Sequence, residues 1–436
     1  MPSPGTLRRN RDFRLFLVVV GLSRLGTQVS FLALPLLTLR LTGSSARTGS
    51  LALLEGVVFL AMSLPGGALA DHFSRRATMV GCALGCAAAM GGLATAVTLH
   101  HASFALIAAA VVVIGVLGGV FAPASGASIR TIVAEGDLLD AYSTLEARSA
   151  VLFLIGPPLG GFLFGISAQV PLWTDAASYV VCALGVLAVR TPLNRPRAPA
   201  PAVGADVSPD RTQDGRTGTV RSLAKGAAAG MVFIWRNAFL RYCALGTAAL
   251  NTAFQSAIFL VILAFARDGR GATATGLVIS AWGIGALAGS LLARRLTKRY
   301  DARQTLLGVT WACAALVPLL AVAHGAVVAV IAVVAGCGLL APSHNAVAAG
   351  TLARLTPDHL QGRAQSAAGL MAMAGAPFGP LLAGIAFQSF ALWTLFVALG
   401  VLIAAVALAG QASAALRTVP AAPGQEPRLQ TVAGPS

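Results

Sequence analysis

Residues 13–39 read FRLFLVVVGLSRLGTQVSFLALPLLTL, an apolar run of about 25 residues whose only charges are Arg14 and Arg24. A helix rising about 1.5 Å per residue crosses the hydrocarbon core of a bilayer in roughly 20 residues. Arg8, Arg9, Arg11 and Arg14 at its start imitate the basic end of a secretory leader, but no clear cleavage site precedes Arg40. The run is read as an uncleaved first membrane helix. The remainder of the chain has the same character. Of 436 residues, 56% are hydrophobic and 11% charged, and the mean hydropathy is +0.79. Soluble domains carry about 25% charge. This chain lacks the polar surface to cover itself in water, and neither collagen, a disordered tail nor a coiled coil has this composition.

Outward from that run the sequence divides into twelve apolar stretches, at about 13–39, 48–70, 78–98, 103–124, 141–166, 171–189, 239–265, 273–293, 304–323, 326–350, 363–388 and 391–410. The expected fold is all-α and polytopic, with twelve transmembrane helices in two six-helix bundles, residues 1–189 and 239–410. Residues 190–238 include RPRAPAPAVGADVSPDRTQDGRTG at 195–218, the composition of a flexible linker. Residues 411–436 are expected to form a disordered tail.

The balance of 31 basic against 15 acidic residues, a net charge of +16, suggests nucleic acid until the basic residues are placed. Only Lys225 and Lys298 are lysines, and neither tail carries a lysine-rich arm. With both termini on one side, 26 of the 31 fall on that side; Arg40, Arg47, Arg267 and Arg270 fall on the other and Arg24 lies within the first helix. Positive loops stay in the cytoplasm. Both termini are therefore expected to be cytoplasmic, with the charge serving orientation and contact with anionic lipid, and no nucleic acid as partner. Cys82, Cys86, Cys182, Cys243, Cys313 and Cys337 all fall inside apolar runs, without a disulfide framework or zinc spacing. His100 and His101 lack a HExxH pattern and nearby carboxylates. No metal and no cofactor is expected.

The chain repeats. Ala122, Pro123, Gly156, Pro158, Gly160 and Gly165 recur 219 positions later as Ala341, Pro342, Gly375, Pro377, Gly379 and Gly384. An offset of 227 aligns Gln28 with Gln255, and Thr48 and Gly49 with Thr275 and Gly276. Parallel halves joined on one side of the membrane are a transporter architecture, with the substrate path between them.

Between the second and third helices the chain reads Gly67-Ala68-Leu69-Ala70-Asp71-His72-Phe73-Ser74-Arg75-Arg76. This resembles the signature of the major facilitator superfamily, a pattern of Gly, Asp, Gly and paired basic residues. The resemblance implies a cytoplasmic latch of Gly67, Asp71, Arg75 and Arg76, with Asp71 facing a helix N-terminus and the arginines holding acidic or carbonyl partners. His72 and Ser74 depart from the pattern, and the second-half counterpart GSLLARRLTKR, 289–299, lacks the Asp. Gly156-Pro157-Pro158-Leu159-Gly160-Gly161 in the fifth helix is similar to a motif of the superfamily's exporters. It implies a gate hinge at Gly156, Pro157, Gly160 and Gly161; ordinary small-residue packing is the competing reading. Residues 9–49 and 121–161 resemble the branch holding enterobactin exporters and macrolide efflux proteins. That branch often has an acid after the first-helix glycine, whereas Gly26 is followed here by Thr27 and Gln28.

Ionisable groups inside spans are costly to bury and stand as functional candidates. Glu55 lies some seven residues, roughly 10 Å, into the second helix. It reads either as a proton carrier, with Arg24 a conceivable counter-ion, or as a boundary residue. Glu146, beside Arg148 at the start of the fifth helix, and His344 in the tenth are the other proton-coupling candidates. Asp175 is expected to cap the sixth helix. Arg24 and Gln28, like Asn251 and Gln255, are spaced four apart and share a helix face. With Phe254, Trp282 and Asn345 they are the expected lining of a substrate cavity, since the resemblance places the first and seventh helices around it; polar glue between helices is the competing reading.

The expected function is proton-coupled export of lipophilic drugs or secreted metabolites by alternating access, an antiporter and not an enzyme, acting as a monomer in a bacterial inner membrane. No GxxxxGK[ST] loop is present to bind ATP. Uptake or uncoupled facilitated transport of a small metabolite is the first alternative. A non-transporting membrane sensor is the alternative from another class.

Overall fold

The computed structural model describes residues 10–194, 230–357 and 360–413. Twelve spans are long and apolar enough to cross a membrane, and the described residues contain no strand. In hydrocarbon every backbone polar group needs an internal partner, which a helix supplies within one segment. The first half comprises α1 (Arg11–Thr42), α2 (Ser45–His72), α3 (Arg75–Thr98), α4 (Phe104–Ile132), α5 (Leu138–Ile166) and α6 (Val170–Ala188). The second comprises α7 (Ala238–Arg267), α8 (Ala272–Arg299), α9 (Ala302–Ala323), α10 (Val327–Leu355), α11 (Gln361–Ala374), α12 (Phe378–Ser389) and α13 (Leu392–Ala412).

Local chemistry sets several helix starts. Asn10, Ser74, Ser103, Asn237 and Asp301 each accept a backbone N–H of the first turn with the side chain, satisfying donors that a helix leaves orphaned. Gly43 closes α1 in the left-handed conformation, φ +63°. The eleventh span was expected to be continuous but breaks into α11 and α12 at Gly375–Pro377, where three-residue turns replace the α-helical ladder. Pro377 lacks the N–H that the ladder needs. The paired prolines of α5, Pro157 and Pro158, leave that helix unbroken.

The chain enters α1 and α7 and leaves α6 and α13 on one face of the molecule, the terminal face; the loops at Gly43, Ser103 and Gly271 mark the far face. Buried apolar side chains join both halves only toward the far face. There Leu32, Leu36 and Phe164 form one cluster with Phe259, Leu263 and Phe396. Toward the terminal face the core divides, with Phe13, Phe16, Met79 and Val186 in one half and Phe239, Leu240, Leu306 and Leu352 in the other. The halves meet along two seams, α5 on α8 and α2 on α12.

The segment read as a linker is described only at its ends. Residues 230–236 are helical, with Ile234 buried. Residues 190–194 are tied to the first half. Asp12 Oδ2 accepts Arg190 N at 3.1 Å, Thr191 N at 2.7 Å and Thr191 Oγ1 at 2.6 Å. Arg75 donates to the carbonyls of Leu193 and Ala127 at 3.2 and 3.4 Å, and Arg76 to those of Val189 and Thr191 at 2.5 and 3.1 Å. The arginines of the expected latch thus bind carbonyls of α4 and of the chain beyond α6, within one half. The packing of Gly67 and the side chain of Asp71 lie outside what is described, as does the tail from 414.

Candidate functional site

Between the halves lies a cavity of two lobes. The first, about 330 Å³, is walled mainly by α1 and α2 of the first half with α7 of the second, and carries Arg24, Thr27, Glu55 and Tyr179 among apolar side chains such as Phe59 and Phe121. The second lobe, about 310 Å³, carries Asn251, Phe254, Trp282, His344 and Asn345. Phe31, Gln255, Ile258 and Ala376 border both. Apolar walls with a few polar groups suit amphipathic organic molecules.

Arg24 and Asn251, equivalent by the 227-residue offset, each line one lobe. Their helix mates differ. Gln255 faces both lobes, whereas Gln28 packs over Gly156 of α5 and borders neither. Asn251 donates to Ala372 O at 3.0 Å, fixing its amide against α11. The rings of Phe254 and Trp282 lie with centroids 3.6 Å apart at 45°. His344 is 5% exposed; its Nε2 lies 3.1 Å from Thr247 Oγ1, while Nδ1 is buried without a partner.

Glu55 is half-buried on the wall of the first lobe. The ion pairs among the described residues join Asp268 to Arg267 and Arg270, so Arg24 and Glu55 share a cavity without pairing. Glu146 is exposed near the terminal face and lines neither lobe; Arg148, two residues on, donates to Leu17 O at 3.0 Å and packs over Gly21.

Asp175 does not cap α6: Gln169 holds that position, and Asp175 sits 1% exposed against α1. Its Oδ2 accepts Ser30 Oγ at 2.7 Å and its Oδ1 faces Ser178 Oγ at 3.4 Å. Gly26 makes room, since a side chain there would strike both Asp175 and Ser178. Tyr179, which the sequence reading passed over, lies 3.2 Å from Thr27 Oγ1. A spacing of four puts Asp175 and Tyr179 on one helix face, a signal in the sequence that could have marked them as a pair.

The exporter-like motif lies at the closest approaches of α5. Gly156 and Gly160 abut α1, and Gly161 abuts the backbone of Ala272 in α8, across the seam. Gly276 in turn abuts Pro157. The repeat reproduces this: Gly375 and Gly379 abut α7, and Gly384 abuts Ser45 of α2, whose Oγ donates to Gly384 O at 2.7 Å.

This architecture has relatives. The family description "Major Facilitator Superfamily" matches residues 16–271 and 244–432. The chain belongs to the major facilitator superfamily. It is 25% identical over 389 residues to a protein of Mycolicibacterium fortuitum named multidrug efflux pump Tap, covering 86% of this chain and 88% of that one. The protein of the same name in Mycobacterium tuberculosis is 26% identical over 428 residues, 94% of this chain and 95% of the relative. Among solved structures, a bacterial homologue of the iron transporter ferroportin in an inward-facing state aligns with TM-score 0.69 at 15% identity, over 92% of this chain and 99% of that one. The nucleoside transporter NupG aligns with TM-score 0.71 at 13% identity, over 94% and 100%. These two likenesses concern the fold. The protein is a multi-pass membrane transporter, with twelve apolar spans among the described residues.

Proposed function

We propose that this protein is a secondary active exporter of lipophilic, drug-like molecules, driven by protons and working as a monomer. The observation that carries the reading is the division of the apolar core, fused at the far face and split at the terminal face, around a largely apolar two-lobed cavity. The relatives named multidrug efflux pumps support the substrate class. The terminal face, which gathers most of the basic residues, is the cytoplasmic one. In the state described, substrate enters from that face and partitions into apolar walls. Rocking the halves about the two seams then parts the far-face contacts and brings the terminal ends together.

Export against a gradient needs a coupled downhill flow. Glu55, on the first-lobe wall without an ion-pair partner, is the proton carrier in this reading, because a carboxyl that alternates between wet and dry surroundings changes its proton affinity. Cells expressing the protein are expected to accumulate less of a lipophilic dye such as ethidium than control cells. A protonophore or Glu55→Gln abolishes the difference. Export that survives collapse of the proton gradient would refute coupling, and dye entering faster than in control cells would reverse the direction.

A further inference from the structure

We propose that Asp175 and Glu55 share one proton through a water-sized chamber inside the first half, making Asp175 the second carboxyl of the coupling site. The proposal rests on the proton-coupled reading above. Behind the first lobe lies a chamber of about 20 Å³ bounded by Thr27, Ser30, Glu55, Asp175 and Tyr179, with Met90, Val111 and Ile114 closing its apolar side. About 10–15 Å³ admits one water, which needs two to four polar partners; these five side chains supply them. Thr27, Glu55 and Tyr179, with Phe31, Leu34 and Ile114, also border the first lobe and so stand between it and the chamber.

Asp175 itself does not border the lobe, and Ser30 and Ser178 orient its two oxygens. The titratable or charged groups around it are Glu55 from α2, Arg24 from α1, Cys82 and Cys86 from α3, and Tyr179 and Cys182 from α6 itself. The one cation of this set, Arg24, lines the first lobe and makes no ion pair with Asp175. Two carboxylates facing one small chamber without a counter-ion repel each other, and a single proton held between them removes the clash. In the transfer, the O–H bond of Asp175 breaks as one forms on the bridging water, and a proton of that water forms the new O–H bond on Glu55. No proton is gained or lost. Glu55 meets the substrate cavity while Asp175 keeps the proton out of it.

The test is infrared difference spectroscopy of the protonated-carboxyl stretch during a pH titration of the full chain in lipid, for the wild type, Asp175→Asn, Glu55→Gln and the double variant. The expected result is two steps in the wild type and one in each single variant. The surviving carboxyl then releases its proton at least tenfold more readily, because its negative neighbour is gone. A surviving step displaced by less than about twofold overturns the shared proton. Should Asp175→Asn fail to fold, Ser30→Ala keeps both carboxyls: a shared proton moves both steps together, and movement of one alone overturns the proposal. Failure of the underlying reading looks different. Ethidium export indifferent to a protonophore removes the pair's role in coupling without altering the spectra, whereas independent steps remove the pair while leaving export coupled through Glu55.

Discussion

Arg40, at the far end of α1, holds its guanidinium 4.5 Å from the ring centroid of Phe164 on α5. Arg267, which the 227-residue offset makes its counterpart on α7, lies 5.0 Å from the ring of Phe387 on α12. Each half thus pins its first helix to its fifth span at the far face with a cation over an aromatic ring. Such contacts contribute about 0.5–1 kcal/mol at exposed sites, and both arginines are exposed. Arg40→Gln and Arg267→Gln are each expected to lower stability by about that amount, and the pair to add, as separate sites do. Thermal unfolding of the three variants in one detergent checks this; a double variant no less stable than either single one would show that the contacts are not independent clasps.

The seam between α5 and α8 depends on the absence of a side chain at Gly161, where any Cβ would strike the backbone of Ala272. Overpacking a tight contact costs about 1–3 kcal/mol, and here the halves can relieve it by separating at the far face. Gly161→Val is therefore expected to bias the protein toward a far-side opening and to reduce export at least tenfold while leaving the chain folded. Cys313, half-exposed on the second lobe, is the reporter. In a variant whose other five cysteines are replaced, a membrane-impermeant maleimide added from the far face should label it faster once Gly161 is Val. Equal labelling would mean that the seam does not gate the cavity.

Much of this was legible because hydrocarbon imposes strict demands. Apolar length alone located the twelve spans found among the described residues. The 219-residue repeat also anticipated that Gly156 and Gly160 play the part of Gly375 and Gly379, since each pair abuts the first helix of its half. Helix rotation was not legible. A span apolar on every side gives no phase, so Asp175 read as a cap although it turns toward Ser30, and Gln28 read as cavity lining although it turns toward Gly156. Nor did proline content decide continuity. Pro157 and Pro158 sit in an unbroken α5 while Pro377 ends a ladder.

Trp282 and Phe254 form the aromatic wall of the second lobe. An aromatic pair contributes about 0.5–1.5 kcal/mol beyond area burial, and a planar drug stacking there draws on interactions of that size. Trp282→Ala is expected to weaken export of planar aromatic dyes by roughly 2- to 10-fold, while compact aliphatic substrates are less affected. Dose-response growth curves with both classes of compound measure the split. A uniform loss for every compound would indicate a structural role for the indole.

His344 offers a sharper discriminator in the same lobe. Its Nε2 is engaged by Thr247 and its Nδ1 has no partner although buried. Leaving such a group unsatisfied costs about 1–3 kcal/mol, a cost that a substrate with a complementary polar group removes on binding. Replacing the ring with His344→Leu deletes the orphaned group along with the Thr247 contact, so fold stability should change little. Substrates that bond to Nδ1 should instead lose affinity by roughly 5- to 100-fold, in line with that penalty. Ligand titrations by intrinsic tryptophan fluorescence, comparing two dyes that differ by one hydrogen-bonding group, separate the cases. If both dyes weaken equally, Nδ1 does not read the substrate; if only the polar one weakens, His344 is the specificity contact of the second lobe.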